Sequence, residues 1–303
     1  MKNLIDLIET QSLRLDENQL LTIPKDVGKL TNLYILNLNN NNLTTIPKEI
    51  GNLTNLSELY LHHNKLTNIP EEIGKLQNLQ RFFLDYNQLT VIPKAICCLS
   101  NLQDLSFSYN QLTNKFQKNS DIDEVIPREI KNLKNLQKFT LAHNHLQAIP
   151  KELGSCANLQ YLFLNNNQIT HIPKEMGKLS NLREFYLNYN QLKTISKGLS
   201  GLTNLQTFDL SFNQLTIFPN EMGLLINLRI LNLNNNKLTS IPGESIHLSN
   251  LQKLYIQNNQ IIQLPIELGE LTRLREIYVS GNNKIKVPKG IRGVIGVSSF
   301  WGW

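Results

Sequence analysis

Leu33-x-x-Leu36-x-Leu38-x-x-Asn41-x-Leu43-x-x-Ile46-Pro47 decides the fold, because the same string returns 23 residues later as Leu56, Leu59, Leu61, Asn64, Leu66, Ile69 and Pro70. Taking the Asn as phase marker gives Asn18, Asn41, Asn64, Asn87, Asn110, Asn144, Asn167, Asn190, Asn213, Asn236, Asn259 and Asn282. Ten of the eleven intervals are 23 residues and one is 34, so a single 11-residue insertion breaks the phase between Asn110 and Asn144. Substitutions at the Leu sites stay apolar, as at Phe82, Phe107, Phe139, Phe185, Phe208, Ile256 and Val279. A fixed period of this length marks a stack of like units rather than a conventional globular core.

Each element of the period has a physical role. Leu-x-Leu alternation is a period-2 strand with Leu inward and the intervening residues outward. Strands of successive units stack as a parallel sheet about 4.8 Å apart. An Asn side chain has one acceptor and two donors, so after the strand it can bond backbone groups of its own and the next coil. Pro47 and its equivalents fix φ and begin the return segment. One unit cannot bury its own apolar face, so stability comes from stacking. The expected fold is an α/β repeat solenoid, right-handed and horseshoe-like. Its concave side carries a parallel β-sheet, and its convex side carries short 3-10, extended or helical segments, with a helical turn at Glu49–Gly51. Residues 1–303 read as one domain: 1–9 as the remnant of an N-terminal cap, 10–288 as about twelve repeats, and 289–303 as a C-terminal cap or tail containing Trp301 and Trp303. The insertion, at about 114–124, is polar and reads as a surface loop. Ser196, in place of Pro, is expected to loosen one turn, and Lys284 stands where a core Leu belongs.

The segment L-x-x-L-x-L-x-x-N followed by Ile-Pro-x-Glu-Ile-Gly-x-Leu-x-Asn-Leu (Ile46 to Leu56) resembles the leucine-rich repeat family, in the 23-residue class found in bacterial proteins, including the Leptospira set. It is also similar to eukaryotic scaffolds of the Ras-suppressor type. The resemblance implies a noncatalytic, protein-binding scaffold that recognises its partner through the concave face. The bacterial set further implies a secreted or surface protein that meets host proteins. A cytosolic signalling scaffold is the alternative, as is the recognition part of a larger effector enzyme such as a ubiquitin ligase.

Composition narrows the chemistry. The balance of 30 Lys plus Arg against 24 Asp plus Glu, a net +6, is spread along the chain and does not point to nucleic acid. Apolar runs are too short for a membrane span of about 20 residues. No signal peptide is evident at the start, where Asp6 interrupts the apolar stretch. Cys97, Cys98 and Cys156 imply no disulfide framework, and Cys156 occupies a core Leu site. There is no phosphate loop, nucleophile elbow or C-x-x-C pair, so neither catalytic residues nor a cofactor is expected.

The informative residues are those that the repeat does not dictate. All nine Tyr fall in the x positions of L-x-x-L-x-L-x-x-N. With the Phe of the same slots, the expected partner-binding set is Tyr60, Phe83, Tyr86, Tyr109, Tyr161, Phe163, Tyr186, Tyr189, Phe212, Tyr255 and Tyr278. Aromatic side chains offer large contact area at low entropic cost. Interleaved with Asn and Ser, they suit a protein or peptide rather than a phosphate backbone, bound by a monomer. No metal site is assigned; the one candidate trio is His62, His63 and Asp85. Consecutive strand residues point to opposite sides, so that trio converges only if the turn bends early.

Overall fold

A computed structural model describes residues 9–113, 125–283 and 285–291. The insertion 114–124, Lys284, the first eight residues and the Trp-bearing tail lie outside the described residues. The chain divides into two compact units, Met1–Leu146 and Gln147–Trp303.

The first unit holds six three-residue strands: β1 (Ser12–Arg14), β2 (Ile35–Asn37), β3 (Glu58–Tyr60), β4 (Arg81–Phe83), β5 (Asp104–Ser106) and β6 (Lys138–Thr140). They pair in chain order, parallel and in residue-for-residue register, as in Leu36↔Leu59 and Leu59↔Phe82. The second unit repeats the arrangement with β7 (Tyr161–Phe163), β8 (Glu184–Tyr186), β9 (Thr207–Asp209), β10 (Ile230–Asn232), β11 (Lys253–Tyr255) and β12 (Glu276–Tyr278). The motif positions Leu33, Leu36, Leu38, Leu43, Ile50 and Leu53 are fully buried, and so are the five Phe that replace Leu. Cys156 is buried among them, as its Leu phase requires; Cys97 is buried and Cys98 exposed.

On the return side the choice between extended, 3-10 and α conformations is uniform. Five-residue 3-10 turns occupy Lys25–Lys29, Lys48–Asn52 and their equivalents, and no α-helix occurs among the described residues. The Pro47 carbonyl accepts from Ile50 N–H at 3.1 Å, and the Ile50 carbonyl accepts from Leu53 N–H at 3.1 Å. Two successive i→i+3 bonds close the turn before an α-helix could propagate. Ser196 does not loosen its turn. It keeps φ −66° and ψ 132°, values its Pro counterparts share, and its hydroxyl caps Gly198 N–H at 3.3 Å.

The Asn ladder forms with the opposite sense to expectation. Asn64 donates to the carbonyl of Leu61 in its own coil (3.1 Å) and to that of Leu38 in the preceding one (2.9 Å). Its side-chain oxygen accepts from Leu43 N–H, again in the preceding coil, at 3.0 Å. In the second unit Asn213 reaches back likewise, to Leu187 O (3.0 Å) and Leu192 N–H (2.9 Å). A second ladder runs beside the return turns: exposed Asn55, Asn78 and Asn101 donate to Thr31, Thr54 and Gln77 carbonyls at 2.8–2.9 Å.

Candidate functional site

Two columns of side chains line the exposed face of each sheet. The first is the slot between the second and third Leu of the motif. In the first unit it stacks Tyr60 on Phe83, centroids 5.3 Å apart and 21° from parallel, and then continues through the small Ser106 and Thr140. In the second unit it stacks Phe163 on Tyr186 (5.0 Å, 7°) and Tyr255 on Tyr278 (4.8 Å, 7°). Parallel register carries one ring over the next, so every pair follows from the strand pairing.

The second column is the slot just before the ladder Asn, where the backbone is left-handed in every described coil. In the first unit φ is 59° at Glu17, 54° at Asn40, 54° at His63, 55° at Tyr86, 56° at Tyr109 and 55° at His143. In the second it is 55° at Asn166, 56° at Tyr189, 52° at Phe212, 54° at Asn235 and 53° at Asn258, with Gly281 at 75°. The reversal turns the chain out of the strand so that the next residue, the Asn, points into the core. Asn and Gly tolerate it readily, whereas an aromatic residue there is an outlier.

That geometry lays the rings flat on one another. His63, Tyr86, Tyr109 and His143 form a continuous stack in the first unit, with successive centroids 4.1, 4.1 and 4.0 Å apart and planes within 11° of parallel. Tyr189 and Phe212 form a shorter one in the second, at 4.1 Å and 8°. Since the faces are taken up in stacking, the ring edges meet solvent: Tyr86 is 42% exposed, Tyr109 39%, Tyr189 47% and Phe212 41%. The remaining Tyr of the expected set, Tyr60, Tyr161, Tyr186, Tyr255 and Tyr278, are half-buried.

Polar neighbours hold the strand-slot rings. The Tyr60 hydroxyl donates to Glu58 at 2.5 Å, and Glu58 is paired with Arg81 at 3.0 Å. Burial, then the Glu58 carboxylate, pushes the Tyr60 phenol above its ordinary value. The Tyr278 hydroxyl donates to Glu276 at 2.7 Å, and Lys253 pairs with that carboxylate at 3.1 Å. Burial likewise raises the Tyr186 phenol, with Glu184 adding to the effect.

The candidate trio His62, His63 and Asp85 does not assemble. Among the described residues no three His, Cys, Asp or Glu side chains converge as metal ligands must. The turn does bend early, but the bend lays His63 on Tyr86, with His62 edge-on to it at 5.8 Å. Asp85 is engaged elsewhere, accepting from Ser108 N–H at 2.8 Å and from the Ser106 hydroxyl. Desolvation lowers the His62 pKa, with the Asp85 charge opposing.

The left-handed slot and the second Asn ladder were missed in the sequence reading. Their signals are present: Asn40, Asn166, Asn235, Asn258 and Gly281 share the slot, and Asn stands immediately before the first Leu of the motif from Asn32 to Asn250, giving way to Arg273 in the last coil.

Family comparison matches this chain to a leucine rich repeat over residues 157–215 and 226–283, a leucine-rich repeat region over 1–119, and leucine rich repeats in two copies over 134–174. Comparison with curated proteins gives no match. Among solved structures, a leucine-rich repeat protein of Leptospira interrogans is 35% identical, with 96% of this chain and 83% of that chain covered and a TM-score of 0.66. An internalin of Listeria monocytogenes is 22% identical over 98% of this chain and 90% of that chain, with a TM-score of 0.73, a likeness of fold. The leucine-rich repeat ectodomain of the Arabidopsis thaliana receptor kinase GASSHO1/SCHENGEN3, in complex with Casparian strip integrity factor 2, is 29% identical. That likeness covers 90% of this chain and 36% of that chain, with a TM-score of 0.63.

Proposed function

Because the chain belongs to the leucine-rich repeat family, whose fold is a typical scaffold for protein interaction, we propose that it binds a protein partner through the aromatic columns of its exposed sheet face. The observation that carries the proposal is the stack His63–Tyr86–Tyr109–His143, held on left-handed backbone where Asn or Gly would sit without strain. Strain kept in this way is a mark of functional surfaces. Rigid, edge-exposed aromatics make binding anchors because little rotamer freedom remains to be lost on association. The family is generally noncatalytic, and we assign the protein no reaction of its own. Among the described residues no helix is long and apolar enough to cross a membrane. We place the protein outside a bacterial cell, acting as a monomer on a host protein, the setting that its resemblance to the bacterial class implies. The Arabidopsis ectodomain, solved in complex with a named factor, is a leucine-rich repeat fold occupied by a partner, and lends support by likeness.

The test compares the parent with a Tyr86→Asn, Tyr109→Asn, Tyr189→Asn, Phe212→Asn variant. Asn already fills the same slot at Asn40, Asn166, Asn235 and Asn258, so the fold should persist, as circular dichroism would check. Both are presented to host extracellular proteins and to a bacterial lysate. A host protein captured by the parent and lost by the variant supports the proposal. Equal capture by both removes the binding site from the column before the ladder Asn, and capture from the lysate alone removes the host setting.

A further inference from the structure

At the margin of the second unit's sheet, the residues immediately before β8 to β12 are Arg183, Gln206, Arg229, Gln252 and Arg275. Backbone bonds tie them into one column: Gln206 N–H to Arg183 O, Arg229 N–H to Gln206 O and Gln252 N–H to Arg229 O at 2.8 Å, then Arg275 N–H to Gln252 O at 2.9 Å. The three arginines are exposed. None makes a salt bridge or side-chain hydrogen bond among the described residues. Two carboxylates adjoin the column: Glu184, next to Arg183, acts on the Tyr186 phenol, and Glu276, next to Arg275, feels the Arg275 charge besides its bonded partners. Glu276 holds Lys253 and Tyr278, and Asp209 accepts from the Ser211 backbone and hydroxyl and from the Asn232 amide. In the first unit the equivalent positions Gln11, Tyr34, Ser57, Gln80, Gln103 and Gln137 carry no charge. The positive column is therefore local to the second unit.

Its spacing selects the conformation of what would lie along it. Each coil advances about 4.8 Å, so arginines on alternate coils stand roughly 9.6 Å apart. A polyproline II chain rises about 3.1 Å per residue with three residues per turn, and so presents like side chains on one side every ~9.3 Å. A β-strand repeats each face at about 6.7 Å and puts residues three apart on opposite faces. Guanidinium groups pair with carboxylates in a planar, two-point fashion. The stacked pairs Phe163–Tyr186 and Tyr255–Tyr278 run along the same sheet, and aromatic surfaces receive proline rings.

We propose that the Arg183–Arg229–Arg275 column, on the sheet that also carries these aromatic pairs, binds an acidic, proline-rich segment of a protein partner in the polyproline II conformation, with a carboxylate at every third residue. The proposal rests on the protein-binding reading of the sheet face and names the chemistry of one part of the partner.

A fluorescein-labelled peptide of four Glu-Pro-Pro units would be titrated with the full chain by anisotropy. The controls are an isomer with the four Glu together ahead of the eight Pro, and a heparin oligosaccharide as competitor. The expected result is at least tenfold tighter binding of the spaced peptide, weakening steeply from about 50 to about 500 mM sodium chloride. The preference should vanish in an Arg183→Gln, Arg229→Gln, Arg275→Gln variant, whose new residues match Gln206 and Gln252 of the same column. Equal binding of the two isomers, no binding, or an unaltered preference in the variant overturns the proposal. So does heparin competing at lower concentration than unlabelled peptide, which would make the column a polysaccharide site. If this test fails while the aromatic variant still loses its captured protein, the sheet-face reading stands without the arginine column. If the peptide binds while that variant captures everything the parent does, the sheet-face reading is the one that falls.

Discussion

Tyr86 and Tyr109 lie ring on ring, 4.1 Å apart and 8° from parallel, on backbones whose φ values are 55° and 56°. A stacked aromatic pair contributes about 0.5–1.5 kcal/mol beyond burial, and a left-handed non-glycine residue costs about 1–2 kcal/mol. Tyr109 stacks on both Tyr86 and His143, so the two effects nearly cancel. Tyr109→Asn should therefore change unfolding free energy by no more than about 1.5 kcal/mol. A loss above about 3 kcal/mol in urea titration would make the stack a structural support and weaken the binding proposal.

Asn87 should behave in the opposite way. Its amide donates to Leu61 and Leu84 carbonyls at 2.9 and 3.0 Å, and its oxygen accepts from Leu66 N–H at 2.9 Å, all in the buried interior. Each buried backbone group left unpaired costs about 1–3 kcal/mol, so Asn87→Ala should destabilise by several kcal/mol. The exposed Asn78 makes one bond to Thr54 O at 2.9 Å, and Asn78→Ala should cost about 1 kcal/mol or less. Equal losses in the two variants would contradict the assignment of separate roles to the two ladders.

Glycines in the return turns divide by what lies beyond them. A Cβ on Gly51 would stand 2.5 Å from the Glu72 carbonyl of the next coil, a backbone atom that cannot step aside. A Cβ on Gly243 would meet only the Glu267 side chain, at 3.6 Å. Gly51→Ala should lower the melting temperature by the several degrees that correspond to about 1–3 kcal/mol of overpacking, whereas Gly243→Ala should be within about 0.5 kcal/mol of the parent. Matching melting curves for the two variants would refute the steric account.

Burial lowers the pKa of His143 at the end of its ring stack. For a base, a depressed folded-state pKa means that the unfolded chain takes up more protons as pH falls below the ordinary value of about 6.5. The stability that the neutral imidazole contributes is complete above that pH and diminishes on acidification towards the folded pKa. His143→Asn should flatten the fall of the denaturation midpoint between about pH 6.5 and pH 5. An unchanged slope would place the acid sensitivity in another group, such as His62, whose pKa desolvation also lowers.

Inside and outside could be read directly from the sequence. Apolar identity at Leu33, Leu36, Leu38 and their counterparts forecasts burial, and the five core Phe and Cys156 obey the same phase. The aromatic slot between the second and third Leu followed from the same alternation. Direction of reach was less accessible, because the identity of Asn64 specifies two donors and an acceptor but not whether they turn to the coil before or after. The left-handed slot was hidden by its occupants: Asn40 and Gly281 advertise it, yet Tyr86 and His63 conceal it, since strand alternation sends their rings to the wrong side. The metal trio failed because the early bend stacks His63 on Tyr86 while Asp85 is bonded to Ser106 and Ser108. The insertion at 114–124 offered no period from which to reason, and it stands outside the described residues.

The backward reach of the Asn ladder sets a timetable. Among the described residues, Leu43 N–H finds its partner only in Asn64 and Leu192 N–H only in Asn213, while Leu38 O and Leu187 O, already bonded to Asn41 and Asn190 of their own coils, gain a second donor. A ribosome releases the earlier member of every such set first. Each coil therefore leaves the exit tunnel with a buried N–H unmatched, and that group is satisfied only when its successor emerges.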